Sequence, residues 1–379
     1  MKKACVVCEA NPAKNQRPNR MLKWLKGHFE LTAIGREATP MEGVEMLSYP
    51  DAKKRNAKEE AILEENVAKK DYIKLVKIPN RMVIEKYLKE REFDIIICHE
   101  LVLLPIVLEN KKQAKVIIDL QEYYPRLHSD ERWIRLFADF NDWLCRTYLP
   151  QADYVYTTDE ISVKEYTKNY GVKCDIIISA AEYYAFSPKV LDNSPTIKLL
   201  HHGMASRERG IEKMIETMDY VDNRFTLDLM LIATWGADYY EELKAMAQIR
   251  NNVRIIPPIP LEEIIPFSTQ YDIGFYLLQP TNFNTRCMLP NKFFEFIQAR
   301  LAIAISPISE MVKYLKAYDL GIVSPDFTPQ SMAKALNALT KEQIFAYKEN
   351  ANKAAEILNA TKEGEKLLGI IERVLSENN

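Results

Sequence analysis

Two hydrophobic rhythms alternate along this chain. Short apolar runs read as strands: "ACVVCEA" (4–10), "FELTAIG" (29–35), "DIIICHE" (94–100), "AKVIIDLQE" (114–122), "DYVYTTD" (153–159) and "CDIIIS" (174–179). Helical stretches lie between them. Met21, Leu22, Trp24 and Leu25 share one face of a helix over 17–28, and a charged, periodic segment covers 53–92 with a break near Pro79. An apolar helix begins near Leu101, an aromatic-rich one spans 130–149, and another spans 161–171. Apolar strands separated by helices predict parallel pairing through helical crossovers.

Residues 187–196, "SPKVLDNSPT", break the rhythm with two prolines and an Asp-Asn pair, which marks a linker. The pattern then restarts. Strands are expected at 197–203, 225–234, 252–259, 271–278, 302–306 and 320–324, and helices at 210–221, 239–249, 291–300 and 310–318. The expectation is two doubly wound α/β domains, 1–187 and 197–340. Charged helices follow over 341–379, for which a return to the first domain is one arrangement. In such sheets ligands bind beyond the C-terminal ends of the strands, and two facing sheets make a cleft between them.

Composition narrows the function classes. The 379 residues are 47% hydrophobic and 27% charged with a net charge of −2, so no global basic field recruits nucleic acid. No apolar run reaches membrane-span length, and the N-terminal apolar stretch is too short for a secretory signal. A cytoplasmic protein is therefore expected. Six scattered cysteines fit a reducing compartment. "CVVC" (5–8) has metal or redox spacing, but within a strand its two thiols point to opposite faces, so both read as buried packing residues. No metal site is expected. Glycine is scarce, 11 residues, which makes those present informative about loops.

Two segments could carry chemistry. "HHGMASRERG" (201–210) joins a strand to a helix. Gly203 permits a tight turn, Gly210 permits close approach to the helix start, and Arg207 and Arg209 add charge suited to phosphate oxygens. In "PNKFFEFIQARLAIAIS" (290–306), Asn291 is a plausible helix cap, and Phe293, Phe294, Ile297 and Leu301 fall at core spacing with Glu295 off that stripe. Taken alone, Glu295 reads either as a solvated first-turn carboxylate or as an acceptor for the two hydroxyls of a ribose.

Together, "LLHHGMASRERGIEKMIETM", "PNKFFEFIQARLAIAIS" and "SPISEMV" resemble the C-terminal half of retaining GT-B glycosyltransferases of the family 4 type. "DIIICHELVLLP", "VIIDLQEYYP" and "ADYVYTTDE" resemble the N-terminal half of that family, in the same order. The resemblance implies two Rossmann-like domains facing across a cleft. It implies a nucleotide-diphosphate sugar donor, UDP- or GDP-linked, with no further cofactor and no metal, and a glycan or lipid-linked acceptor in cell-surface polysaccharide or lipopolysaccharide synthesis. By resemblance Glu295 binds the donor ribose, and Arg209, Lys292 and Gly203 hold the diphosphate. His99 lies by the transferred sugar, while Glu100, Glu122, Arg17 and Arg20 serve the acceptor. The chain departs from the family pattern at Cys287 (usually glutamate), Met204 (arginine), Arg300 (glycine), Ala302 (proline) and Gln121 (histidine). A sugar-nucleotide epimerase and a non-catalytic nucleotide-binding member of the fold are the alternatives.

One helix bears on membranes. Residues 132–149 mix Trp133, Phe137, Phe140, Trp143 and Tyr148 with Arg132, Arg135 and Arg146. Such a helix packs into a core or lies on an anionic bilayer, at the inner face of the membrane in the family's setting.

Overall fold

The computed structural model describes residues 1–191, 196–233 and 238–377, so residues 192–195 of the expected linker and Thr234 of the expected strand lie outside the described residues. The chain divides into two compact units, residues 1–178 with 363–379, and residues 179–362.

Unit 1 is built on seven strands: β1 (Lys3–Cys8), β2 (Glu30–Arg36), β3 (Glu45–Tyr49), β4 (Ile95–Cys98), β5 (Lys115–Leu120), β6 (Tyr154–Thr157) and β7 (Cys174–Ile176). All pair parallel in the order 3-2-1-4-5-6-7. The apolar runs are the inner strands, buried on both faces, as parallel sheets require. On one face Ala4, Val6, Leu31, Ala33, Ile95 and Ile97 meet Met21, Leu22 and Leu25 of the helix Gln16–Leu25. The same cluster takes in Leu367, Ile370, Ile371 and Val374 of the last helix, Ala360–Ser376. Cys5 and Cys8 are both fully buried, and neither is in a disulfide. The edge strand β3 has no counterpart in the sequence reading. Its residues "EMLSY" are mostly solvent-facing, so the continuous apolar signal is missing there. The segment 53–92 is three helices, Ala57–Ala68, Ile73–Val76 and Met82–Lys89, rather than one broken helix.

Unit 2 repeats the plan with β8 (Ile197–Ala205), β9 (Phe225–Ala233), β10 (Val253–Ile256), β11 (Ile273–Tyr276), β12 (Ala302–Ile305) and β13 (Gly321–Val323). They are parallel in the order 10-9-8-11-12-13. Each sheet reverses its winding once, between β1 and β4 in unit 1 and between β8 and β11 in unit 2. These are the switch points where crossovers leave to opposite faces and a crevice opens at the carboxyl ends of the strands. Among the described residues no helix is long and apolar enough to cross a membrane.

Candidate functional site

The unit 2 crevice is shaped by two glycines. Gly203 has φ +140°, and a Cβ there would lie 2.9 Å from Lys292 Nζ and 3.3 Å from Arg209 Nη1. Only glycine suits that backbone, and its bare Cα lets both cations close over β8. Gly210 (φ +60°) ends the turn Arg207–Arg209, and a Cβ there would strike Gln279 in the loop after β11. Thr281 of that loop donates to the Glu208 carbonyl at 2.9 Å, so the loops after β8 and β11 are clasped together.

The helix Asn291–Gln298 supplies the other wall. Pro290 takes the cap position and Asn291 is the first helical residue, because the proline's extended backbone leads directly into the turn. Residues 292–298 are all buried, polar ones included. Glu295 is only 7% exposed, so the solvated first-turn reading does not hold. Its Oε2 lies 3.4 Å from His202 Nε2. Lys292, 5% exposed, has its ammonium 3.4 Å from His201 Nε2 and 4.2 Å above the centre of the Tyr276 ring. No carboxylate lies within 4 Å of that ammonium among the described residues.

Burial pushes Lys292 well below the usual lysine range, the Arg209 guanidinium pushes the same way, and Glu295 opposes them. Burial, and then Lys292, hold His202 neutral by lowering it to about 3. A buried cation beside a second cation, with no carboxylate within 4 Å of either among the described residues, is a costly arrangement in the empty protein. It is the arrangement that a doubly charged oxyanion group completes.

The switch point of unit 1 holds a different cluster. His99 follows β4 and is fully buried. Its Nδ1 is 3.0 Å from Asp119 Oδ2 on the neighbouring β5. Asp119 in turn accepts two hydrogen bonds from Arg17, Nε to Oδ2 and Nη2 to Oδ1, each 2.7 Å. Burial alone would raise Asp119, but Arg17 and then His99 outweigh it and hold the carboxylate below its ordinary range. The anionic acceptor takes the proton on His99 Nδ1, so the tautomer it selects is the one whose Nε2 offers a lone pair. His99 Nε2 is buried and has no hydrogen-bond partner among the described residues. Gln121 donates to the His99 carbonyl at 3.3 Å.

Of the residues expected at the acceptor, Arg17 has its guanidinium turned inward, onto Asp119 and the Ile177 carbonyl at 3.1 Å. Arg20 is buried one turn further along the same helix. Glu100 is half-buried and accepts from the Glu9 amide at 2.9 Å. Loss of hydration pushes its carboxyl up to about 8, against the pull of that amide. Glu122 is exposed. The structure thus brings Gly203, Arg209, Lys292 and Glu295 together in unit 2, and His99, Glu100 and Arg17 around the unit 1 switch point. Asp119, His201, His202 and Tyr276 had no role in the sequence reading. Their signal was a polar or titratable residue closing an apolar strand, as in "VIID", "LLHH" and "GFY".

Arg300, the puzzling departure, resolves locally. The helix stops at Gln298, Ala299 caps it, and Arg300 follows at φ +60°, a left-handed position that helix ends usually give to glycine. The helix is therefore not extended. The side chain offsets the backbone cost by folding back: Nη1 donates to the Gln298 carbonyl at 2.6 Å, Nη2 to the Tyr184 carbonyl at 2.5 Å, and Nε to Asn352 Oδ1 at 2.7 Å. Cys287 is buried, and its thiol donates to the Phe283 carbonyl at 3.3 Å.

No family model matches the sequence, and no curated protein does either. Solved structures do match. An α,α-trehalose-phosphate synthase (UDP-forming) from Burkholderia vietnamiensis superposes with a TM-score of 0.68 at 10% identity, over 98% of this chain and 100% of that one. Anabaena Alr3699/HepE in complex with UDP and glucose gives 0.70 at 11%, over 98% and 100%. WaaG, a glycosyltransferase involved in lipopolysaccharide biosynthesis, gives 0.68 at 13%, over 97% and 99%. At this identity the likeness concerns the fold: two parallel-sheet Rossmann-like units, the GT-B architecture.

Proposed function

We propose that this chain is a glycosyltransferase that takes its sugar from a nucleoside-diphosphate donor, UDP- or GDP-linked. One observation carries the reading. Lys292 and Arg209 converge over Gly203 at the unit 2 switch point, with Glu295 one helical turn from Lys292. The cations suit a diphosphate and the carboxylate suits the paired hydroxyls of a ribose. That solved structures of the same fold hold UDP with glucose supports the choice of donor class.

In this reading the two cations stabilise charge on the departing diphosphate, which is where charge develops when the glycosidic bond breaks. No metal is invoked for that task. The retaining, family 4 assignment belongs to the same proposal and rests on the motif order. His99, held by Asp119 with Nε2 free to accept, is assigned to a hydroxyl of the transferred sugar. Glu100, Glu122 and Arg20 are assigned to the acceptor side. Arg17 is assigned to supporting Asp119, given its paired hydrogen bonds. The acceptor is proposed as a glycan or lipid-linked saccharide of the cell surface, met in the cytoplasm at the inner membrane face. For membrane contact the exposed Ile134 is favourable, but Arg132 and Arg135 are tied to Glu60 and Glu64. Failure to co-sediment with anionic liposomes at low salt removes that part.

The test is product analysis with radiolabelled UDP- and GDP-sugars. Transfer or slow hydrolysis that persists in EDTA supports the proposal. Interconversion of the sugar without release of nucleotide replaces it with an epimerase. Tight binding without turnover, in the presence of acceptor extracts, replaces it with a non-catalytic nucleotide-binding protein.

A further inference from the structure

The question left by the unit 2 crevice is what holds Lys292 in place. A buried lysine is ordinarily fixed by a carboxylate, which would also neutralise it. Here the neighbours are different. From β8, His201 Nε2 lies 3.4 Å from the ammonium. From β11, the Tyr276 ring sits beneath it at 4.2 Å, and that ring packs on the His201 imidazole with centroids 5.1 Å apart. His201 Nδ1 is 3.0 Å from the Phe275 carbonyl, an acceptor, so this nitrogen carries the ring proton and Nε2 presents its lone pair to Lys292. The other charged or titratable groups around the ammonium are His202 on β8, Arg209 after it, and Glu295 on the lysine's own helix.

We propose, resting on the donor-site reading above, that His201 and Tyr276 form a neutral seat that positions the Lys292 ammonium for the diphosphate. The imidazole accepts one N–H, and the phenol face takes up part of the charge. Because neither partner is anionic, no internal counter-charge has to be displaced when the diphosphate arrives. The ring's neutrality follows from its surroundings: burial and the adjacent Lys292 lower His201 well below its ordinary range, against the Phe275 carbonyl. His201 and Tyr276 act through Lys292 and are positioning residues.

The experiment is calorimetric titration of UDP and of uridine, with GDP and guanosine as the second pair, into the full chain and its variants between pH 6 and 9. His201→Phe keeps the ring volume and removes the acceptor. It is expected to weaken UDP about tenfold, the loss of one charged hydrogen bond, with uridine changed less than about twofold. Without the acceptor the protonated lysine is less favoured, so UDP affinity should begin to fall at a lower pH than in the wild type. His201→Gln, which retains an acceptor oxygen, should recover most of the UDP affinity. Tyr276→Phe keeps the ring face and should bind as the wild type does, whereas Tyr276→Leu should weaken UDP selectively; this pair serves if a His201 variant does not fold. Equal loss of UDP and uridine overturns the inference, because it marks a scaffold role. So do an unchanged pH profile in His201→Phe and equal behaviour of the Phe and Leu variants at 276. Failure of the wild type to bind either UDP or GDP overturns the donor-site reading itself, and the seat falls with it.

Discussion

Replacing Lys292 with methionine should make the empty protein more stable while removing its diphosphate affinity. Lys292 is 5% exposed, with no carboxylate within 4 Å among the described residues. Taking an ammonium out of water costs several kcal/mol. Arg209, within about 6 Å, adds repulsion of roughly 3 kcal/mol at an effective dielectric of about 20, less because Arg209 is partly solvated. Against this stand one hydrogen bond to His201 and the Tyr276 face, together about 2–4 kcal/mol. Methionine keeps most of the stem's packing without the charge. The expected net gain is about 1–3 kcal/mol, in line with buried ions replaced by apolar residues, and each kcal/mol moves the melting point of a unit this size by roughly 2–4 °C. The pH dependence has a definite sign. The folded-state pKa lies below that of the unfolded chain, so between the two the unfolded state binds more protons and wild-type stability rises with pH. The advantage of Lys292→Met should therefore be greatest near pH 6–7 and should shrink toward pH 10. Scanning calorimetry of both proteins over that range reads it directly. A variant that melts lower than wild type at neutral pH, by an amount independent of pH, refutes the picture of an uncompensated cation.

Other outcomes follow from the same geometry. Glu295→Ala should weaken UDP and uridine alike, by roughly 10- to 100-fold for lost hydrogen bonds to a charged acceptor, as measured by calorimetry. Gly203→Ala places a Cβ 2.9 Å from Lys292 Nζ on a backbone at φ +140°; it should cost about 1–3 kcal/mol in stability and more than tenfold in UDP affinity, with uridine nearly unaffected. Asp119 is held below its ordinary pKa, so its contribution is present above about pH 4 and is lost as pH falls through the folded-state value. Asp119→Asn should cost about 3–5 kcal/mol at neutral pH by leaving Arg17 uncompensated, and its thermal melts should lose the acid-dependent step of the wild type.

Much of the architecture was legible in the sequence because inner parallel strands are apolar on both faces. The inner strands, from "ACVVC" to "AIAIS", were seen because they are buried on both faces, and the edge strands Cys174–Ile176, Val253–Ile256 and Gly321–Val323 were seen because each still carries a short apolar run. The strand missed, Glu45–Tyr49, lies at an edge and buries little. Short helices such as Phe283–Cys287 and Pro329–Asn337 escaped because one or two turns are too few to show a period. At the site, residue types were legible and their directions were not. Arg17 and Lys292 are both basic residues in first helical turns, yet one is spent inward on Asp119 and the other faces Arg209 across a glycine. Lys292 and Gly203 are nearly ninety positions apart, and only the pairing of β8 with β11 brings them together. The meaning of Arg300 was hidden because a left-handed helix end is written in sequence by glycine, and here a guanidinium that binds carbonyls replaces it.

Whether the unit 2 switch point holds a nucleoside diphosphate is read from a crystal structure with UDP bound. Diphosphate oxygens should lie at about 3 Å from both Lys292 Nζ and the Arg209 guanidinium, with both ribose hydroxyls on the Glu295 carboxylate. A nucleotide that sits elsewhere, or one whose phosphates avoid Lys292 and Arg209, contradicts that placement.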